Sequence, residues 1–202
     1  MRETSHLDFL LKAVFIISLS LSFVLWSVPI LSSSYGMWLV LQKNSNVHMN
    51  PADLENYNNR IIEFFKTGSN LEFLNANESS HMNDVGYIVN NSNAIAGISL
   101  AMLMFSAYFL TDRKDFIIKS TKIASAVVFS VILLIAVFAY LDFQTAFLLF
   151  HKISFVNNFS FPSDSFLKTL YPDGFFLELG MVYLLSVMIP SLIVAVIFFK
   201  LK

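Results

Sequence analysis

Four long apolar runs constrain this chain more than any other feature. A helix that crosses a bilayer needs about 20 mostly apolar residues to cover ~30 Å of hydrocarbon. Runs at about 9–31, 93–110, 123–143 and 175–199 meet that requirement. Lys12 interrupts the first only near its start, and the second draws on Asn93 and Ala94 for length. Pro190 sits inside the fourth as an expected kink. With 13% charged residues in 202, the chain lacks the surface of a soluble monomer, which averages roughly a quarter. The expected fold class is all-α membrane: one integral domain forming a four-transmembrane-helix bundle. Two loops, at about 32–92 and 141–174, are expected to form an extracytoplasmic subdomain.

The bases set the expected orientation. Arg2, Lys12, Arg113, Lys114, Lys119, Lys122, Lys200 and Lys202 lie at the chain ends or beside the short link after the second span. The two longer loops carry only Lys43, Arg60, Lys66, Lys152 and Lys168. Both termini are thus expected in the cytoplasm of a cell-membrane protein, with the two loops facing out together. The Leu31-Ser-Ser-Ser34 stretch resembles a cleavage region, but the apolar run before it exceeds the usual 7–15 residues of a signal peptide. The first span is therefore expected to stay as an anchor.

The first loop contains a helix signal. Asn50 can cap a helix that carries Pro51 in its first turn and stops at Gly68. Between them Leu54, Tyr57, Ile61, Phe64 and Phe65 share one face, with Asp53, Glu55, Asn59 and Arg60 elsewhere. Residues 36–42 (GMWLVLQ) are β-prone and read either as a short strand or as the end of the first helix. The Asn-rich stretches 44–50 and 90–93 read as turns.

Absences narrow the chemistry. No cysteine is present, which removes disulfides, thiolate ligands and a cysteine nucleophile. No Gly-rich phosphate loop, zincin motif or serine elbow occurs, so no cofactor is expected. A net charge of −1 gives no reason to expect a nucleic-acid partner. Of the four histidines, His6 and His48 read as solvated or incidental. His81 and His151 stand out, because each falls at the same expected membrane edge. Asp84 follows His81 by three residues and shares its helical face, where a carboxylate can fix the imidazole tautomer and raise its basicity. Glu78 lies just upstream of His81. Glu178, one turn into the fourth span, must face a polar cavity, find a partner or reach the headgroups. A metal held by His81, Asp84 and His151 is a further option, without a compact ligand spacing to support it.

Four segments carry a family resemblance. His81-Met-Asn-Asp84-Val85 matches HM-x-DV, and Phe150-His151-Lys-Ile-Ser-Phe155-Val-Asn157 matches FH-x-x-x-F-x-N. Leu170-Tyr-Pro172-Asp-Gly-Phe175-Phe176 is similar to an L-x-P-x-x-FF element, and residues 57–64 resemble the family's equivalent segment. Together they resemble the lipoprotein intramolecular transacylase (Lit) family of four-span membrane proteins. Departures are Asn77 before Glu78, Phe159 and Phe161 where a tryptophan is often found, and Asp173 in place of a glutamate. The resemblance implies an enzyme that moves the sn-2 acyl chain of a diacylglyceryl lipoprotein onto the α-amine of its own N-terminal cysteine, at the outer leaflet. It implies His81 and His151 as a catalytic acid/base pair acting on a lipoprotein or lipid in the membrane, with Asp84, Glu78, Asn157 and Glu178 in support. Two alternatives remain: a non-enzymatic protein whose outer loops bind a partner, and a metal-assisted membrane hydrolase. An inter-imidazole distance within about 8 Å is the geometric requirement of the acid/base pair.

Overall fold

A computed structural model describes the backbone of residues 2–155 and 159–200, with side chains from residue 6 onward. In chain order the helices are α1 (Arg2–Leu25), α2 (Val28–Leu31), α3 (Tyr35–Asn44), α4 (Pro51–Thr67), α5 (Ala76–Phe109), α6 (Lys114–Leu141), α7 (Phe143–Ser154), α8 (Phe166–Leu170) and α9 (Asp173–Lys200). No strand occurs among the described residues. Four helical segments are long and apolar enough to cross a membrane: His6–Leu31, Ala76–Phe109, Lys114–Leu141 and Asp173–Lys200. The chain is a multi-pass membrane protein of the all-helical class expected.

Three local expectations change. Residues 36–42 are neither a strand nor the end of the first helix. They belong to the separate helix α3, whose buried Trp38, Leu41 and Gln42 repeat at helical spacing. Packing of that stripe overrides the β propensity of Val40 and its neighbours. Residues 90–93 are not a turn: they lie within α5, a 34-residue helix about 51 Å long. Asn is a mediocre helix former at roughly half a kcal/mol each, too little to break a ladder that no proline interrupts. The second loop is also more ordered than expected, since it holds α7 and α8. The other Asn-rich stretch does turn, just after Asn44 ends α3, with Asn46 in the left-handed region at φ 58°.

The chain divides into two units. The first comprises residues 1–27, 93–135 and 184–202. Its interior combines Phe15, Val128, Ile132 and Val187 with many buried small hydroxyl residues, among them Ser18, Ser106, Ser125 and Ser191. Small residues let helices approach closely where lipid gives no hydrophobic drive to pack. Their hydroxyls bond back along their own helices, Ser106 Oγ to the Met102 carbonyl at 2.7 Å and Ser125 Oγ to that of Thr121 at 2.6 Å. Pro190 has no N–H to give the carbonyl of Ser186, four residues earlier in α9. The Trp26 indole N–H bonds that carbonyl at 3.1 Å, so the group freed by the proline is satisfied from another segment.

The second unit, residues 28–92 and 136–183, contains the candidate site. Helix α4 has the expected ends: the Asn50 side chain accepts the Ala52 N–H at 3.0 Å, Pro51 opens it, and Gly68 closes it at φ 71°. Its Leu54, Ile61, Phe64 and Phe65 join Trp38, Leu41, Met82, Leu167, Leu170, Tyr171 and Phe175 in one apolar core. Within that core runs a closed polar network. Asn58 Nδ2 donates to Gln42 Oε1 at 2.7 Å, Gln42 Nε2 donates to the Leu170 carbonyl at 3.0 Å, and the Tyr171 hydroxyl donates to Asn58 Oδ1 at 2.8 Å. Burial pushes the Tyr171 phenol well above the usual tyrosine value, which keeps it a proton donor.

Gly86 is the contact point of α4 on α5. A Cβ there would stand 3.0 Å from Phe64 Cε1, closer than most side-chain contacts, so even a methyl group would make the ring give by a few tenths of an ångström. Gly86→Leu should therefore push Phe64 out of the core and cost about 1–3 kcal/mol. The expected result is a thermal midpoint several degrees lower for the detergent-solubilised variant; an unchanged midpoint would show that the helices are not tightly docked here.

Candidate active site

Local capping sets the positions of both marked histidines. Asn75 precedes α5, and its Oδ1 accepts the N–H groups of Asn77 and Glu78, each at 3.0 Å. Glu78 Oε2 reaches back to the Asn75 N–H at 3.1 Å, which closes a capping box. The other carboxylate oxygen, Oε1, accepts the Leu167 N–H at 3.0 Å. Glu78, 1% exposed, thus fastens the start of α8 to the first turn of α5. His81 follows one turn later. Asp142 separates α6 from α7 and caps the latter by accepting the Thr145 N–H at 3.0 Å. Among the described residues of α7, only His151 is buried.

The two imidazoles come together. Their ring centroids are 6.1 Å apart with planes 16° from parallel, within the limit set from the sequence. Aromatic rings enclose them. Phe155 contacts both, at 4.7 Å from His81 and 5.1 Å from His151. Phe161 lies 5.3 Å from His81, while Phe147 and Phe159 lie 4.0 and 5.4 Å from His151. The sequence singled out Phe155 as part of a motif but gave Phe147, Phe159 and Phe161 no role beyond packing. The signal was there for two of them: Phe159 and Phe161 occupy the stretch where the resembled family often carries tryptophan.

Hydrogen bonds distinguish the rings. His151 Nδ1 lies 2.8 Å from the Phe147 carbonyl oxygen. A carbonyl can only accept, so Nδ1 carries the proton and a neutral ring has its lone pair on Nε2. Burial among the phenylalanines pulls the His151 pKa below its ordinary value, with the Phe147 carbonyl acting in the opposite direction. Among the described residues, His81 Nδ1 is buried without a hydrogen-bond partner. Asp84, three residues on in α5, makes no hydrogen bond to this nitrogen, although its charge acts on the His81 ring. An orphaned N–H is rarer than an orphaned acceptor, which favours the proton on His81 Nε2.

The remaining marked residues are more scattered. Glu178 accepts a hydrogen bond from Asn44 Nδ2 at 2.9 Å, so this acid has found a protein partner rather than joining the histidines. Asn157 lies outside the described residues. No group of three His, Asp or Glu among the described residues is placed to hold a metal, and the set His81, Asp84 and His151 is not one.

Comparison with known proteins gives a consistent result. The family model described as lipoprotein intramolecular transacylase Lit matches residues 7–176. No curated protein sequence matches. Solved structures do. The membrane-integral lipoprotein intramolecular transacylase Lit from Bacillus cereus is similar at a TM-score of 0.81 with 16% identity, covering 96% of this chain and 95% of that one. A form of the same enzyme with a histidine-to-arginine mutation gives 0.76 at 15% identity over 98% and 92% of the two chains. One with a histidine-to-alanine mutation gives 0.73 at 16% identity over 99% and 96%.

Proposed function

Because the chain belongs to the lipoprotein intramolecular transacylase (Lit) family, we propose that its two stacked histidines carry out acyl transfer within a diacylglyceryl lipoprotein. Membership makes it a membrane acyltransferase; what is proposed is the substrate, the side of the membrane and the residues that act. The site faces the outer leaflet, with both chain termini in the cytoplasm. The observation that carries the reading is the pair of buried imidazoles 6.1 Å apart in different hydrogen-bonding states.

Each step follows from the donors and acceptors present. The α-ammonium of the substrate's N-terminal cysteine must first lose a proton, and His151 Nε2 offers the free lone pair to take it. The amine nitrogen then attacks the carbonyl carbon of the sn-2 ester. On this reading the His81 Nε2–H donates to the oxyanion that forms. His151, its first proton passed on to water, takes the second proton from the attacking nitrogen and gives it to the departing oxygen as the carbon–oxygen bond to glycerol breaks. An ammonium and an ester thus become an amide, a free hydroxyl and one released proton, and both histidines return to their starting state. Nucleophile and ester belong to one molecule, so positioning supplies much of the acceleration. No covalent enzyme intermediate is needed, in keeping with a chain that has no cysteine. The phenylalanine enclosure supports the same reading, since it excludes water that would otherwise hydrolyse the ester.

The test is direct. Purified protein in vesicles is given a synthetic diacylglyceryl lipopeptide with a free N-terminal cysteine. The mass does not change, so tandem mass spectrometry reads whether one acyl chain has moved from glycerol to nitrogen, with loss of the free amine. Retention of both esters and the free amine would overturn the proposal.

A pH profile adds a second measurement. A His151 pKa held low in the folded protein keeps its base form at pH values where an ordinary histidine, near 6.5, is already charged. The acid limb of kcat/KM should accordingly fall with a midpoint below that value; a midpoint above it would remove His151 as the base. The same shift affects stability. The unfolded chain binds the proton more readily, so the His151 contribution is complete above the unfolded pKa and is lost as pH falls through the folded one.

A further inference from the structure

Helix α7 is too short to cross a bilayer, yet one flank of it is exposed and apolar. Its 12 residues extend only about 18 Å against ~30 Å of hydrocarbon. Three faces run along it. His151 and Phe147 face inward, where Phe147 also meets Phe176 at 5.5 Å. A second flank carries Ala146, Leu149, Phe150 and Ile153, with the last three 49%, 53% and 78% exposed, although the Phe150 ring also lies 5.4 Å from His151. The third flank carries exposed Gln144, Thr145 and Lys152, with Leu148, 45% exposed, between them. Water on both exposed flanks would leave a contiguous apolar strip solvated, which soluble surfaces rarely permit. The strip also continues directly from the end of α6, a membrane-crossing helix whose last residues Tyr140 and Leu141 are 78% and 76% exposed.

We propose that α7 lies in the bilayer interface, with Leu149, Phe150 and Ile153 in contact with acyl chains and Gln144, Thr145 and Lys152 at the level of the headgroups. The partner of this surface is the lipid itself. Three features fit that partner: a helix lying flat needs a polar flank next to an apolar one, a basic residue on the polar flank suits phosphate, and the Lys152 stem can reach outward. Asp142 gives the chain a capped break after α6, which lets it turn from crossing the membrane to lying along it. On the acyl-transfer reading above, this depth is where the ester of a lipid-anchored substrate resides; the lipid contact itself does not depend on that reading.

The absence of native cysteine makes the test clean. Single-cysteine variants Leu149→Cys, Ile153→Cys, Gln144→Cys and Lys152→Cys are spin-labelled in phospholipid vesicles. Collision with oxygen, which concentrates in hydrocarbon, is compared with collision with a water-soluble nickel chelate. Labels at Leu149 and Ile153 should favour oxygen several-fold over those at Gln144 and Lys152, which should favour nickel. Equal nickel access at all four positions would overturn the proposal by placing the helix in water. Low access to both probes at Leu149 and Ile153 would overturn it by showing a protein cover, such as a second copy of the chain. The readout is independent of catalysis, so it remains decisive even if no acyl transfer is observed.

Discussion

His151→Ala is expected to lower the rate of acyl transfer by about 10²–10⁴-fold, the usual contribution of a positioned general base. The His151 side chain is buried, and among the described residues its hydrogen bond is to the Phe147 carbonyl of its own helix, so the variant should still fold and insert. His81→Ala is expected to cause a similar loss through the missing oxyanion donor, on the order of 10²–10³-fold. The double variant should be little worse than the more damaged single one, because residues that act as a unit are not additive. The check is the lipopeptide assay with each variant's thermal midpoint measured alongside. Full conversion by either single variant would remove that histidine from the mechanism, and a collapse of the midpoint would assign the loss to folding instead.

Glu78→Ala is expected to have the largest effect on stability. It strips the acceptor from two backbone N–H groups, Asn75 and Leu167, in a residue that is fully buried. The Leu167 N–H is buried and costs about 1–3 kcal/mol when left unpaired, while the exposed Asn75 can turn its N–H to water and loses about 0.5–1.5 kcal/mol, roughly 1.5–4.5 kcal/mol together. That is a large share of the 5–15 kcal/mol that typically holds a domain folded. The loss should be local at first, freeing the segment before α8 that carries Phe159 and Phe161 against the imidazoles. Limited proteolysis should then cut between α7 and α8 faster than in the native protein, with the thermal midpoint lowered. Native resistance and an unchanged midpoint would show that the carboxylate holds nothing in place.

The sequence disclosed the parts of this molecule that depend on local rules. The four spans follow from the length of their apolar runs, and α4 follows from Asn50, Pro51 and Gly68, whose effects act within a few residues. The closeness of His81 and His151 was legible only as a shared membrane edge, because nothing local says which way two helices 70 residues apart turn their faces. Glu78 shows the same limit. Its reciprocal bond with Asn75 is a local pattern, but its bond to Leu167 is not foreseeable from either residue. Helix α3 was hidden for another reason: its β-prone composition gives the wrong answer until Trp38, Leu41 and Gln42 are seen to bury one stripe. The phenylalanine enclosure escaped because 22 phenylalanines in a membrane chain make any four of them look like lipid contacts.

The polar network beneath the site has a consequence for how the protein is made. Gln42 bonds to a carbonyl 128 residues further along the chain, and the Tyr171 hydroxyl bonds to an Asn58 that was synthesised 113 residues before it. Glu78 waits 89 residues for Leu167. Until translation passes residue 171, these polar groups are committed to a core that does not yet exist. Biogenesis is therefore expected to run in two stages: early spans insert one by one, and the unit that holds the histidines closes late, in one step. Chains arrested before that point would expose unsatisfied amides beside apolar helices, which are the features membrane quality-control proteases recognise. His81 and His151 come together in the same late step, so an incomplete chain lacks the proposed acid/base pair.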